Sequence, residues 1–497
     1  MTALFILLLI IPALFAVLAF LVGREIRGFL MVLGTIFVFG LAVWAIFLAY
    51  PSFPDAVSVY IGTFSWLSTD QAPVKIIGFQ LDSLSSIMLI VITLIGFFVV
   101  LFSTEYMSVR NVEHPTEEGN SRYYFWLMMF IGSMVGVSLS PNFLMLFWFW
   151  ELTTLCSWML ISQYRDEDKS IKAGYKALVM THMGGMFFVI AIVLIYTRTG
   201  SFEFAALRDL DSSTLWLVMF FLLIAAWAKA AEVPFFTWLP DAMEAPTPVS
   251  AYLHAAAMVK AGVYLVARIT LASGNVAESI GIMTIIVSLI SIIVGIIFFF
   301  YQDDLKRLLA FSTITHLGYI LLGIGLGMLG SEMGLKGGIL HIPCHAVGKT
   351  LLFLCVGRIA MLLGTKKISD ISGLFRKMPV TSFAFMIGIW SIVGVPPFSC
   401  FYSKLFIFAG AVKLGGWIGF GLLIPFALEV VIALFWFLRA GQKIFFGEPS
   451  AVVDELYDIV DRPLFGRLIS RFVFASLVGL SILIPWVMFK FINLVGA

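Results

Sequence analysis

The sequence predicts an all-α polytopic membrane protein with about fourteen transmembrane helices. Three observations carry that expectation. The 497 residues are 61% hydrophobic and only 12% charged, with a mean hydropathy of +1.04, values that place the chain in lipid rather than in water. Apolar runs of about 20 residues, the length that crosses a bilayer, recur from one end to the other. Inside hydrocarbon each segment must satisfy its own backbone groups, so these runs are helices and not open strands.

The runs fall at 3–22, 28–49, 82–104, 123–140, 142–162, 173–197, 214–234, 248–271, 277–300, 304–327, 338–363, 381–412, 416–440 and 470–493. The first has no Lys or Arg before it and exceeds a signal-peptide core, so it is expected to be a retained span. Most basic residues flank the odd-numbered connections, among them Arg24, Arg27, Arg110, Arg122, Lys366, Lys367, Arg376 and Lys377; Lys75, Arg198, Arg208, Arg268, Lys336, Lys413 and Lys490 lie on the even side. The positive-inside bias then predicts a multi-pass protein of a cell inner or plasma membrane with both termini outside.

Residues 50–81, with VSVYIG and VKIIGFQLD around a turn-forming stretch, predict a small β-hairpin on the outer face. Residues 441–469 predict an amphipathic cytoplasmic connection before the last span. The expected organisation is a three-helix region with the hairpin (1–122), two five-helix units (123–271 and 277–440), and a connection with the last span (441–497). Glu151 and His316 are separated by nearly the same length as Lys229 and Lys404, which hints that spans 4–8 and 9–13 are related. With five helices each, the second unit would be inverted.

A net charge of +2 without a basic tail gives no reason to expect nucleic acid. The four cysteines, Cys156, Cys344, Cys355 and Cys400, lie isolated in apolar runs with no metal-binding spacing. No metal and no cofactor is expected. Neither a nucleotide loop nor a redox centre is visible, so the chain is not expected to carry out redox catalysis itself.

The informative residues are charges placed where they are unwelcome. Arg358 lies near a helix end and is expected to snorkel, but Lys229, Lys260, Lys349 and Lys404 are deeper. Each buried charge costs roughly 2.5–3.5 kcal/mol, so intramembrane ionisable groups are functional candidates by default. Glu151 ends FLMLFWFWE in the run FLMLFWFWELTTLCSWML; it is either half of a helix-locking ion pair or a proton carrier. Lys229 is followed three residues later by Glu232, expected near the same face, and by Pro234, which breaks the helix one turn on. Such breaks at membrane depth line watery cavities in transporters; the alternative is a lysine snorkelling to an interface.

His254 and Lys260 occupy the next span, about 120° apart on a continuous helix. Lys260 is the stronger candidate, and His254 is equally well read as a packing residue. In HIPCHAVGKTLLFL, His341, His345 and Lys349 stand at i, i+4 and i+8, one stripe with neighbours about 6 Å apart. Water bridging such gaps makes a proton relay, since imidazole both accepts and donates near neutral pH. Structural hydrogen bonding and a zinc or haem site are the competitors; no carboxylate in this helix completes a zinc site. Pro396 and Pro397 interrupt span twelve before Lys404, as Pro234 follows Lys229.

The motifs FQLDSLSSIM, FWFWELTTLCSWMLI, AAWAKAAEVPFFTWLPDAMEAPTPVSAYLHAAAMVKAG, FSTITHLGYI around His316, and HIPCHAVGKTLLFL together resemble the antiporter-like membrane subunits shared by respiratory complex I, energy-converting membrane hydrogenases and multi-subunit Na+/H+ antiporters. The resemblance spans nearly the whole chain. It implies fourteen helices with two inverted five-helix repeats, broken helices seven and twelve, and a polar axis at the midplane. It further implies that Glu151 pairs with Lys229, that Lys260 and the His341/His345/Lys349 stripe form a lateral path, and that Lys404 is the outlet.

The implied function is H+ translocation, with Na+ as an alternative ion, inside a complex of related membrane subunits. A redox module or Na+/H+ exchange would drive it. A haem-carrying electron-transfer protein using His182, His254, His316, His341 and His345 is the reading from another class. A purely structural scaffold is a third.

Overall fold

A computed structural model of the chain describes residues 1–64, 74–116, 120–456 and 464–496. The turn of the expected hairpin and the middle of the 441–469 connection lie outside the described residues. The elements run α1 (Thr2–Leu21), α2 (Arg24–Ala49), β1 (Val57–Phe64), β2 (Val74–Leu81), α3 (Ser83–Tyr106), α4 (Asn120–Leu139), α5 (Phe143–Ile161), α6 (Asp168–Thr199), α7 (Ser212–Lys229), α8 (Trp238–Asp241), α9 (Thr247–Ala255) and α10 (Met258–Ser273). They continue with α11 (Glu278–Phe299), α12 (Leu305–Met328), α13 (Glu332–Leu363), α14 (Pro379–Val393), α15 (Ser399–Leu414), α16 (Gly416–Phe445), α17 (Ala451–Asp454) and α18 (Leu464–Ile492). Strands β1 and β2 pair antiparallel from Val57↔Leu81 to Phe64↔Val74, with irregularities around Gly62.

Among the described residues, 12 helical stretches are long and apolar enough to cross a membrane. The other two segments expected from the sequence are α4 and the broken pair α14–α15, neither half of which reaches the crossing length alone. Short polar side chains start several helices by accepting a backbone N–H: Asp82 from Ser85 at α3, Asn142 from Met145 at α5, and Asp304 from Lys306 and Arg307 at α12.

Burial orders the bundle. The apolar stretch of α12 is 100% buried and that of α13 is 94% buried, against 17% for α16. Helices α12 and α13 are therefore the central pair, and α16 is a peripheral one. Glycine allows that centre to close: a Cβ on Gly323 would meet the Gly338 Cα at 2.6 Å, so the two backbones touch at their crossing. A Cβ on Gly262 would meet the Ala226 carbonyl at 2.6 Å, which brings α10 equally close to α7.

Among the described residues, three spans are broken. Helix α7 stops at Lys229, Ala231 turns left-handed at φ 53°, and Pro234 lies in the break before α8. Pro396 and Pro397 lie in the break between α14 and α15. The third break, at Ala256 and Ala257 between α9 and α10, corrects the expectation of a continuous span eight. His254 and Lys260 thus belong to separate helices, and a rotation counted along one helix does not describe them. Two alanines carry no breaking signal, so the sequence hid it. Glu232 is also corrected: it sits in the break, not on the Lys229 face of a helix, because α7 has already ended.

Candidate functional site

Lys229 is fully buried at the end of α7. Its Nζ donates to the Trp150 carbonyl at 2.8 Å and to Thr154 Oγ1 at 2.6 Å, and lies 4.9 Å from the Trp150 ring centroid. The helix break leaves this amine held by oxygens of α5 rather than by a carboxylate. Glu151 instead turns towards α6, where His182 Nδ1 lies 2.7 Å from its Oε2. Among the described residues Glu151 and Lys229 make no direct ion contact, although they face each other's surroundings across α5. The cause is local: Glu151 Oε1 fits the hollow left by Gly185 on α6, where a Cβ would stand 2.3 Å from it. Glu232 is completely buried, and neither carboxylate oxygen has a hydrogen-bond partner among the described residues.

Beyond the Ala256–Ala257 break, Lys260 Nζ lies 3.0 Å from His345 Nδ1. The expected stripe on α13 is not a simple file. His341 and His345 have ring centroids 6.1 Å apart, and His316 on α12 fits beside both. Its ring centroid is 5.1 Å from that of His345, and its Nδ1 is 2.9 Å from His341 Nε2. His341 Nδ1 then meets Ser403 Oγ at 2.8 Å on α15, next to Lys404. The order is Lys260, His345, His316, His341, Ser403. Lys349 stands aside and donates to the Leu309 carbonyl at 3.0 Å. His254 is fully buried, with both ring nitrogens unpartnered among the described residues. Buried polar atoms of this kind are hydrated as a rule.

Lys404 Nζ donates to the Val393 carbonyl at 3.2 Å, which the α14–α15 break leaves available, and lies 3.1 Å from Glu429 Oε2. Tyr319 completes the group: its hydroxyl donates to the same Glu429 oxygen, and its ring centroid is 4.6 Å from the ammonium. Glu429, 1% exposed, is a site residue that the sequence reasoning missed. Its signal is a lone acid in GLLIPFALEVVIALF.

The sequence offers His182 only as a possible haem ligand, yet it faces Glu151 across one helix–helix contact. Arg358 does not snorkel; it is buried and paired with Glu105, which also accepts from Ser470 Oγ at 2.8 Å. Lys306, in the first turn of α12, is buried and donates to the Ala245 carbonyl at 2.6 Å.

Residues 140–429 match the family described as NADH:quinone oxidoreductase/Mrp antiporter, transmembrane, and residues 66–124 match the N-terminus of NADH-ubiquinone oxidoreductase (complex I) chain 5. The chain belongs to this family. An Na(+)/H(+) antiporter subunit of Alkalihalophilus pseudofirmus is 35% identical over 466 residues, 89% of this chain and 56% of that one. Chloroplastic NAD(P)H-quinone oxidoreductase subunit 5 of Anthoceros angustus is 35% identical over 369 residues, 70% of this chain and 48% of that one. The chain thus spans about half the length of the curated relatives it matches.

Among solved structures, a chain of the Mrp complex from Dietzia sp. DQ12-45-1b superposes with a TM-score of 0.81 at 27% identity, over 99% of this chain and 51% of its own. A chain of the archaeal membrane-bound sulfane sulfur reductase shares the fold end to end, with a TM-score of 0.77 and 99% of both chains covered. These structural relatives are parts of multi-subunit membrane complexes. All seven principal candidates, Glu151 to Lys404, fall inside the matched 140–429 segment.

Proposed function

We propose that this antiporter-like subunit moves protons sideways through the middle of the membrane, within a larger complex. The observation that supports it best is the buried file Lys260–His345–His316–His341–Ser403, flanked by Lys229 on one side and by Lys404 with Glu429 on the other. Neutral imidazoles alternate donor and acceptor nitrogens, so a proton passes along them without a charge resting in hydrocarbon. Protons load at Lys229 from the cytoplasmic face, pass Lys260 and the histidines, and leave at Lys404 towards the outer face, where both termini lie. Spans 4–8 and 9–13 act as two related, inverted halves, each with a lysine at its helix break.

The haem reading is weaker, because His341 commits both ring nitrogens, to His316 and to Ser403. Partner subunits are supported by the Glu151–His182 pair: His182 is 61% exposed in the middle of α6. A polar pair there is expensive against acyl chains and natural against another protein.

Lys229→Ala is expected to abolish cation translocation in vesicles while leaving assembly intact; retained pumping removes the reading. The driving reaction lies in the partners, and a redox module of complex I or hydrogenase type is the first candidate. A stand-alone Na+/H+ exchange assembly is favoured by the match to the Alkalihalophilus antiporter protein over 89% of the chain. Copurification separates them, since a flavin, iron–sulfur or nickel–iron module indicates the first and only small membrane subunits the second.

A further inference from the structure

The α10 helix carries a second stripe that the relay does not use. Lys260, Tyr264 and Arg268 stand at i, i+4 and i+8, so they lie on one face over a rise of about 12 Å. The stripe runs from the histidine file to the face that bears the hairpin. At its near end Lys260 touches His345. In its middle, Tyr264 OH donates to the Ser138 carbonyl at 3.1 Å and lies 3.4 Å from Ser85 Oγ. At its far end, one guanidinium nitrogen of Arg268 donates to Tyr264 OH at 2.8 Å, Ser85 Oγ at 2.8 Å and Asp82 Oδ1 at 3.0 Å. The other donates to Asp82 Oδ2.

Beyond Arg268 the protein opens. A polar vestibule of about 630 Å³ is lined by Lys75, Gln80, Asp82, Glu203, Arg208 and Arg268 among others. Behind it, Ser83 Oγ and Ser86 Oγ on α3 are buried with no hydrogen-bond partner among the described residues, as is Arg268 Nε. Buried hydroxyls without protein partners bind water as a rule, so the start of α3 beside the vestibule is polar ground. The polar column is the stripe itself: from Arg268 at the vestibule, through its hydrogen bond to Tyr264, to Lys260 one turn further along α10, with the Arg268–Asp82 bridge at its outer end.

A helix tie alone does not account for this bridge. Replacing a buried ion pair by apolar residues of similar volume is often neutral or stabilising, and a tie between α3 and α10 needs no permanent charge. A guanidinium is always charged, cannot pass on its proton, and repels other cations in a narrow polar passage. Arg268 is also clamped flat, with its charge centre 5.2 Å from the Tyr264 ring centroid and 5.6 Å from that of Phe204.

We infer that the Asp82–Arg268 pair is an ion seal, closing the hairpin-face end of a polar column that would otherwise let cations run from the vestibule to Lys260. This rests on Lys260 belonging to the proton relay.

The test is passive proton flux in membrane vesicles holding the complete complex, with the driving reaction idle and a potassium diffusion potential imposed. Arg268→Gln is expected to raise proton conductance by about tenfold, as when a charge barrier is removed from a pore, whereas the isosteric Asp82→Asn, which leaves the guanidinium in place, is expected not to. Adding Lys260→Ala or Tyr264→Phe to Arg268→Gln should return it to the background. A leak from disrupted packing would not depend on Lys260.

The seal is refuted if the assembled Arg268 variant does not leak, or if the leak ignores Lys260→Ala. Should Arg268→Gln fail to assemble, Arg268→Met, alone and with Lys260→Ala, carries the same comparison. Driven translocation surviving in Lys260→Ala alone sinks the relay instead, so the two failures are distinguishable.

Discussion

A single imidazole decides whether the histidine file is continuous. His316 from α12 lies nearer to His345 than His341 does, 5.1 Å against 6.1 Å between ring centroids, and hydrogen-bonds His341. The His345 Nε2 left unpartnered among the described residues marks the gap a water would bridge. Removing a positioned proton-transfer group typically reduces rate by about a hundredfold or more, so His316→Ala is expected to reduce driven translocation on that scale. The decay of an imposed pH gradient in energised vesicles measures it; a change below about threefold would place His316 outside the route, since misplacing one transfer group should cost far more. Glu429 makes a second case. Glu429→Gln removes the charge that holds Lys404 and leaves it the Val393 carbonyl and the Tyr319 ring. Translocation should fall by about tenfold or more, and Glu429→Asp should recover part of it.

Helices matter here through how closely they approach and where they stop. The His316–His341 contact exists because α12 and α13 cross at Gly323 and Gly338 with backbones touching. Side chains forced into such a crossing cost about 1–3 kcal/mol. Gly338→Val should therefore lower the thermal midpoint in detergent and also reduce translocation, although the residue bears no titratable group. Unchanged activity in a folded variant would show that the histidine contact tolerates a wider crossing. The α14–α15 break acts in the opposite sense, since ending α14 at Val393 leaves that carbonyl free to hold the Lys404 ammonium.

Across the whole molecule, distant segments are joined at the face opposite the hairpin. Glu113, in the connection between α3 and α4, pairs with Lys366 after α13 at 2.9 Å. Burial alone would raise the Glu113 carboxyl, but the ammonium groups of Lys366 and Lys306 outweigh it and hold the carboxyl below its usual range. Its contribution to stability is thus present above the unfolded value of ~4.3 and is lost as pH falls through the lower folded value.

Lys366 behaves inversely. Burial would lower it, yet Glu113 and neighbouring acids raise it. Its contribution is complete below the unfolded value of ~10.4 and is lost as pH rises through the folded one. Glu113→Gln should flatten the thermal midpoint against pH on both sides. An acid-side fall unchanged from the parent chain would show that other carboxylates govern it.

Much of this was legible in composition and order. The lipid-embedded helical fold, the proline-marked breaks and the misplaced lysines follow from hydropathy, proline chemistry and the cost of burying charge, all of which are local. What the tertiary structure decided is which group faces which. The break at Ala256–Ala257 has no marker, Glu151 turns to His182 because Gly185 makes room, and His316 inserts between two rings far along the chain. Such choices depend on where neighbouring helices cross. A sequence specifies the period of each helix on its own, whereas the meeting of two side chains depends on the packing of both.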